Sequence, residues 1–261
     1  FSSKDYKASI YKGTDYPVPK GFGNLVKKWG QNVKVCLNTK VLKINSEGSL
    51  VKLITSKGNL LTQKVILTVS TGILSGRDIE IIPPLPKETL SAISNLPMGT
   101  LNKIGISFNQ QFFSQKEEGW YVSWSDGDKN TEQEIGSFQV RANGPQNVVV
   151  FAGGRYGKWL EERGSKVMRD YAISRIEDVF GTAYTKNIQS SITTAWSSEP
   201  LTKGSYSYAV PGKSGSRKIL SNALDKRIYI TGEATDTNHY GTAHGAYFSG
   251  IRVATEIIAN F

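Results

Sequence analysis

The chain has 261 residues, 21% of them charged and 38% apolar, which is ordinary for a soluble globular protein able to bury one sizeable core or two smaller ones sharing a seam. Lys and Arg number 32 against 22 Asp and Glu, for a net charge of +10, but they are scattered along the whole length, with Lys27-Lys28 and Arg217-Lys218 among the few tight pairs, so the surplus reads as a solvated basic surface and no nucleic-acid partner is expected. A single cysteine and two histidines, His239 and His244, exclude an internal disulfide and a cysteine- or histidine-rich metal site, and no apolar run is long enough to span a bilayer.

In chain order, the first form is a short helical turn over Gly21–Trp29, after the Pro17 and Pro19 pair. Strand-like runs follow at Val33–Leu37 with Lys40–Asn45, at Leu50–Thr55 and at Lys64–Val69, punctuated by Gly48 and Gly58 as hairpin turns are. Cys36, inside the first run, reads as a buried small hydrophobe. The prolines of Ile82-Pro-Pro-Leu-Pro86 cannot sit inside a sheet and mark a domain crossing.

Beyond them a short helix is expected over Lys87–Leu96, then strands at Leu101–Phe108, Trp120–Trp124, Gly136–Val140 and Val148–Ala152, with a polar loop at Asp126–Glu134. A helix over Ser165–Phe180 follows from Met168, Ala172, Ile176 and Val179 at helical spacing between Gly164 and Gly181. Strands at Ser191–Trp196, Ser205–Ala209 and Arg227–Thr231 lead to a polar loop and a last helix over Ala243–Ala259.

The strand–turn–helix at the end carries chemistry. Arg227-Ile-Tyr-Ile-Thr231 feeds Gly232-Glu233, and a loop delivers the chain to a helix opening Ala243-His-Gly-Ala246. A helix N-terminus presents free N–H groups and positive dipole, which favour an anion such as a pyrophosphate. The small face Gly245, Ala246, Ser249 and Gly250 lets a ligand come close, or equally a neighbouring backbone.

Trp196-Ser-Ser-Glu-Pro200 and Gly204-Ser-Tyr-Ser-Tyr-Ala-Val-Pro-Gly212, followed by that Gly-Glu strand end and His-Gly-Ala helix, resemble the flavin-containing amine oxidases, in particular the polyamine oxidase and histone lysine demethylase branch. The likeness extends to Leu37–Ile44, to Val65–Leu74 and to Leu96–Phe108, and is weakest between Phe113 and Gln189. It implies an α/β fold: a discontinuous FAD-binding domain of Rossmann-like type at 10–85 and 193–261, with a substrate domain of mixed antiparallel sheet and helices inserted at 86–192.

The resemblance also implies roles. Val41 would meet the adenine of FAD, Lys103 would stand near flavin N5 holding a water, and Trp196 would lie against the isoalloxazine. Gly232, Glu233, Thr242, Ala243 and Ala246 would contact the cofactor, and Tyr206 would wall the amine. Thr242 takes the place of a second aromatic wall, and Ser205 stands where a covalent flavin link would need cysteine, so FAD would be non-covalent. Lys103 has an alternative as a strand lysine pointing to solvent, and His244 reads as a cap or packing residue.

The implied reaction is oxidation of a C–N bond, with hydride passing to flavin N5, an imine released and hydrogen peroxide formed. Polyamine, monoamine and amino acid all remain open as substrates. The Gly-x-Gly-x-x-Gly half that cradles a dinucleotide is missing from the sequence. A second chain or an N-terminal segment carrying it is therefore expected, the start at Phe1 being compatible with a processed subunit, a cleavage product or a truncated chain. An acidic partner would suit the +10 charge. The rival expectation is a non-catalytic scaffold or regulator retaining the fold. The chain reads as soluble, with its compartment open.

Overall fold

The computed structural model describes residues 2–8, 18, 20–109, 113–124, 135–141, 144–222 and 224–260. The expected loop at Asp126–Glu134, and Pro17 and Pro19, lie outside them. The chain begins with α1 (Ser3–Ala8), α2 (Phe22–Trp29), β1 (Val41–Asn45), β2 (Val51–Thr55), β3 (Gly58–Thr62) and β4 (Val65–Leu67). Next come α3 (Thr71–Ser75), β5 (Glu80–Ile82), α4 (Lys87–Ser94), β6 (Met98–Gly99), β7 (Leu101–Phe108), β8 (Gly119–Trp124), β9 (Ile135–Val140) and β10 (Asn147–Gly153). The rest is α5 (Gly154–Arg163), α6 (Ser165–Phe180), α7 (Thr182–Thr185), β11 (Ile188–Thr193), β12 (Tyr206–Ser207), α8 (Ser216–Leu220), β13 (Ile228–Ile230) and α9 (Ala243–Ala259).

The chain divides into two compact units, one of Phe1–Lys12, Val35–Gly99 and Ser198–Phe261, the other of Gly13–Lys34 and Thr100–Ser197. In the first, β3, β2, β1 and β5 form a sheet in that order, antiparallel except that β5 runs parallel to β1. A separate parallel pair joins β13 to β4. Ile44, Val51, Leu67, Leu74, Leu220, Ile228 and Ile230 close the core with Ala92 and Ile93 of α4 and with Leu96. The proline run thus leads into a helix of this unit, and the change of unit comes at Gly99–Thr100.

The second unit is a five-stranded antiparallel sheet in the order β11-β7-β10-β9-β8. Strict alternation along β7 sends Ile104, Ile106 and Phe108 inward and leaves Lys103, Gly105 and Ser107 on the other face, as a half-buried strand requires. The inward side chains pack with Met168, Ala172 and Ile176 of α6, each buried aliphatic contributing about 1.5–3 kcal/mol. Val179, expected on the same helix face, is 38% exposed because it falls in the last turn, past the sheet-facing residues.

Two expectations are corrected. Val33–Leu37 is not a strand, with Val33 65% and Leu37 73% exposed, and Cys36 is exposed rather than buried. Asn38, at φ 55, turns the chain into the left-handed region before β1, so the extended run cannot continue into the sheet. Among the described residues, no helix is long and apolar enough to cross a membrane.

An ion pair ties the loop between α3 and β5 to the loop before β12. Lys203 Nζ donates to Asp78 Oδ2 at 2.6 Å, and this hydrogen bond, opposed in part by desolvation, holds the Asp78 carboxyl below its ordinary value. A lowered folded pKa means the contribution to stability is full above the unfolded value, near about 3.9, and fades as pH falls through the folded one. Asp78→Asn should therefore destabilise the chain at neutral pH in low salt and make no difference at strongly acid pH, as read by urea unfolding. A cost that does not change with pH would contradict this.

Candidate functional site

In the first unit, β13 is buried along its length and hands the chain to Gly232, whose φ of 133 is open to glycine and strained for other residues. The Gly232 N–H donates to Ser249 Oγ at 3.0 Å, which fastens the strand end to the second turn of α9. The loop from Glu233 closes at Thr242, the N-cap of α9. Its Oγ1 accepts from the Gly245 N–H at 3.0 Å and donates to the His239 carbonyl at 2.6 Å. The Ala246 N–H is taken by the Thr242 carbonyl at 3.1 Å. The amides left with no acceptor among the described residues are those of Ala243 and His244, and both residues are exposed. Thr242 thus serves as a cap, while the small side chain of Ala246 faces outward.

Gly245 is buried at the point where the loop crosses α9. A Cβ there would run into the backbone carbonyl of His239, which cannot give way as a side chain would. Gly245→Ala should cost about 1–3 kcal/mol through overpacking and push the loop off the helix start. A variant whose thermal unfolding matches the parent would contradict that close crossing. His244 stands outside the cap, its ring 5.1 Å from that of His239.

Glu233 bridges the two sides of this site. Its Oε1 accepts from the Ser207 N–H at 2.8 Å, and its Oε2 accepts from Ser207 Oγ at 2.9 Å and from the Gly241 N–H at 2.7 Å. These are all groups of the chain itself, so the carboxylate acts as a brace between β12 and the loop end. Tyr206, next to Ser207, pairs with Gly99 of β6, and its ring lies against Gly241. Burial pushes its phenol above the ordinary value although the residue is 36% exposed. Val41 lines a cavity of about 420 Å³ together with Ile44, Leu53, Ile66, Val69 and Ile73.

Behind Glu233 lies a fully buried cation, which corrects the reading of the Arg217-Lys218 pair as solvated surface. Arg217 is 0% exposed and pairs with Asp5 of α1, with Nε and Nη2 donating to its carboxylate at 2.9–3.1 Å. Its Nη1 donates to Ser207 Oγ at 2.8 Å and to the Ala234 carbonyl at 3.2 Å, and its guanidinium lies 4.0 Å over the Tyr240 ring.

In the second unit, Lys103 projects from the exposed face of β7, with Nζ 5.6 Å over the Phe151 ring, which in turn stacks on Trp120 at 5.0 Å. Trp196 is 37% exposed, and its backbone is held by Asn102, the neighbour of Lys103 on the opposite, buried face of β7. That buried amide accepts from the Trp196 N–H at 3.0 Å and from Thr194 Oγ1 at 3.1 Å, and donates to Glu161 Oε2 at 2.7 Å. Thr194 Oγ1 also accepts the Lys103 N–H at 2.9 Å. The structure thus gathers Lys103 and Trp196 in one unit, and Val41, Tyr206, Gly232, Glu233, Thr242, Ala243 and Ala246 in the other.

Comparison with known proteins bears on this arrangement. The sequence pattern of the family described as flavin containing amine oxidoreductase matches residues 2–258. Polyamine oxidase 4 of Oryza sativa subsp. japonica is 30% identical over 241 residues, which are 90% of this chain and 47% of that protein. Lysine-specific histone demethylase 1 homolog 2 of Arabidopsis thaliana is 30% identical over 204 residues, 76% of this chain and 27% of that one. Among solved structures, a putrescine oxidase redesigned in its cofactor binding superposes with a TM-score of 0.75 at 17% identity, covering 92% of this chain and 53% of that one. The chain spans about half the length of the polyamine oxidases it matches, and less of the demethylase.

Proposed function

Since this chain belongs to the family of flavin-containing amine oxidoreductases, we propose that it is the carboxy-terminal half of an FAD-dependent amine oxidase. Its cofactor domain would be discontinuous and would be completed by a segment bearing the Gly-x-Gly-x-x-Gly turn. The observation that carries this reading is the two-stranded parallel sheet of β13 and β4. Val65 and Leu67 face β13 through their backbones, so the N–H and C=O of Ile66 point to the outer edge, and its side chain is 45% exposed. Parallel strands occur in sheets covered on both faces, and an open apolar edge invites a further strand. A chain of opposite charge would be drawn to a body of net charge +10.

The residues present fit half of a flavin site. The open Ala243 and His244 amides suit a diphosphate, the small Ala246 leaves it room, and the apolar cavity at Val41 suits a flat heteroaromatic ring. Ser205 leaves nothing to bond the cofactor covalently. When bound, the flavin supplies a two-electron acceptor for oxidation of an amine C–N bond, with oxygen as final oxidant. Within the first unit, Tyr206 would wall the amine; within the second, Trp196 would offer a flat ring to the cofactor and Lys103 Nζ would hold a water by donating to it.

Mass analysis and visible absorption of the native assembly test the reading together. The expected result is FAD and a second polypeptide segment in one particle, with amine-dependent peroxide release. A colourless protein that takes up no FAD even when mixed with a Gly-x-Gly-x-x-Gly half would overturn it.

A further inference from the structure

Asp5 and Arg217 form a buried ion pair to which the proposed site gives no role. An Arg buried to 0% exposure is costly to desolvate and is kept where its hydrogen bonds fix something. Six donor–acceptor contacts run from this guanidinium: three to the Asp5 carboxylate, two to Ser207 of β12 (its Oγ, and its carbonyl at 3.5 Å) and one to the Ala234 carbonyl of the loop, with Tyr240 under its face.

The hydroxyl of Ser207 sets the direction of this relay. Because it accepts from Arg217 Nη1 at 2.8 Å, its single proton is left for Glu233 Oε2, at 2.9 Å. The carboxylate so oriented accepts the Gly241 N–H, one residue before the cap Thr242, while Ser207 is one residue after Tyr206. The chain of contacts Asp5–Arg217–Ser207–Glu233–Gly241 therefore spans from β12 to the start of α9. It fixes the gap between the Tyr206 ring and the open amides of that helix.

We propose that Asp5 and Arg217 are positioning residues for this site, acting through Ser207 and Glu233 and touching neither substrate nor cofactor. Their importance to catalysis rests on the flavin reading, but the relay itself is a property of the chain. Asp5 reaches it from α1, which is also held by the Ser2 N–H on the Ala209 carbonyl at 2.8 Å.

The test is a double-mutant cycle read by amide hydrogen exchange on the chain in its native assembly. R217K keeps a cation for Asp5 but loses the planar fork, and S207A removes the relay hydroxyl. Each should speed exchange of the Gly241 amide about tenfold, and the double variant should speed it no further, because both cut one path. Core amides of β7 should not change. Effects that multiply towards a hundredfold, an unchanged Gly241, or a uniform acceleration across the chain would each overturn the proposal, the last by showing a purely global role. FAD uptake is scored separately: in R217K it should weaken about tenfold with a shifted visible spectrum. A parent assembly without flavin counts against the cofactor reading and leaves the exchange result standing. A normal flavin spectrum and affinity in R217K would sink the positioning role.

Discussion

Replacing Arg217 by methionine is expected to cost about 3–5 kcal/mol, the penalty for leaving one member of a buried ion pair without its partner. The side chain is 0% exposed and its partner Asp5 is 3% exposed, so water cannot take over the lost hydrogen bonds. Ser207 Oγ and the Ala234 carbonyl would lose a donor in the same step. The loss is large against the 5–15 kcal/mol that a domain usually has in hand. Pairing the change with Asp5→Leu should recover a good part of it, because two apolar groups of similar volume leave no charge stranded. Denaturant unfolding of the two variants decides the matter. A single variant within about 1 kcal/mol of the parent, or a double variant worse than the single, would show that Asp5 and Arg217 are not a coupled buried pair.

Legibility in the sequence follows physical range. Elements with strong period or clear ends could be read directly: β7 alternates without a break, α6 lies where its apolar spacing and flanking glycines place it, and α9 starts at the Ala243-His-Gly-Ala246 opening after the polar loop. Helix α5 escaped because Gly154 and Gly157 interrupt its pattern, and β3 because its two leucines, Leu60 and Leu61, are adjacent and both exposed. Val33–Leu37 misled for the opposite reason, having the alternation of a strand but no ladder to join. Glu233 and Thr242 stand out in the sequence by their motif, but their bonding does not, since a carboxylate after a strand looks the same whether it meets a ligand or braces a loop. Arg217 and Asp5 lie 212 positions apart, and no local signal pairs them. The buried Asn102 was visible only as a polar residue in an apolar strand, which is a signal that it must find partners.

Lys103→Met should lower turnover of the assembled oxidase by about 10²–10³, within the range attributed to a positioned proton-handling group. The geometry separates this loss from a folding defect. The backbone of Lys103 is fixed by the Thr194 hydroxyl on its N–H and by Asn102 next to it, neither of which involves the ammonium. The side chain itself lies on the exposed face of β7 and gives the unit only its contact over the Phe151 ring. Methionine keeps the length and the apolar stem, so unfolding should shift by no more than about 0.5 kcal/mol, as for other exposed positions. What is removed is the one cation of the Lys103–Phe151–Trp120 row, and with it the donor that would hold a water for proton transfer. Lys103→Arg should recover little, since a longer, planar guanidinium fork presents its donors in other places than the compact ammonium and would not hold the water at the same point. Turnover within twofold of the parent in Lys103→Met, with FAD fully loaded, would assign Lys103 to the solvated surface and remove it from the chemistry.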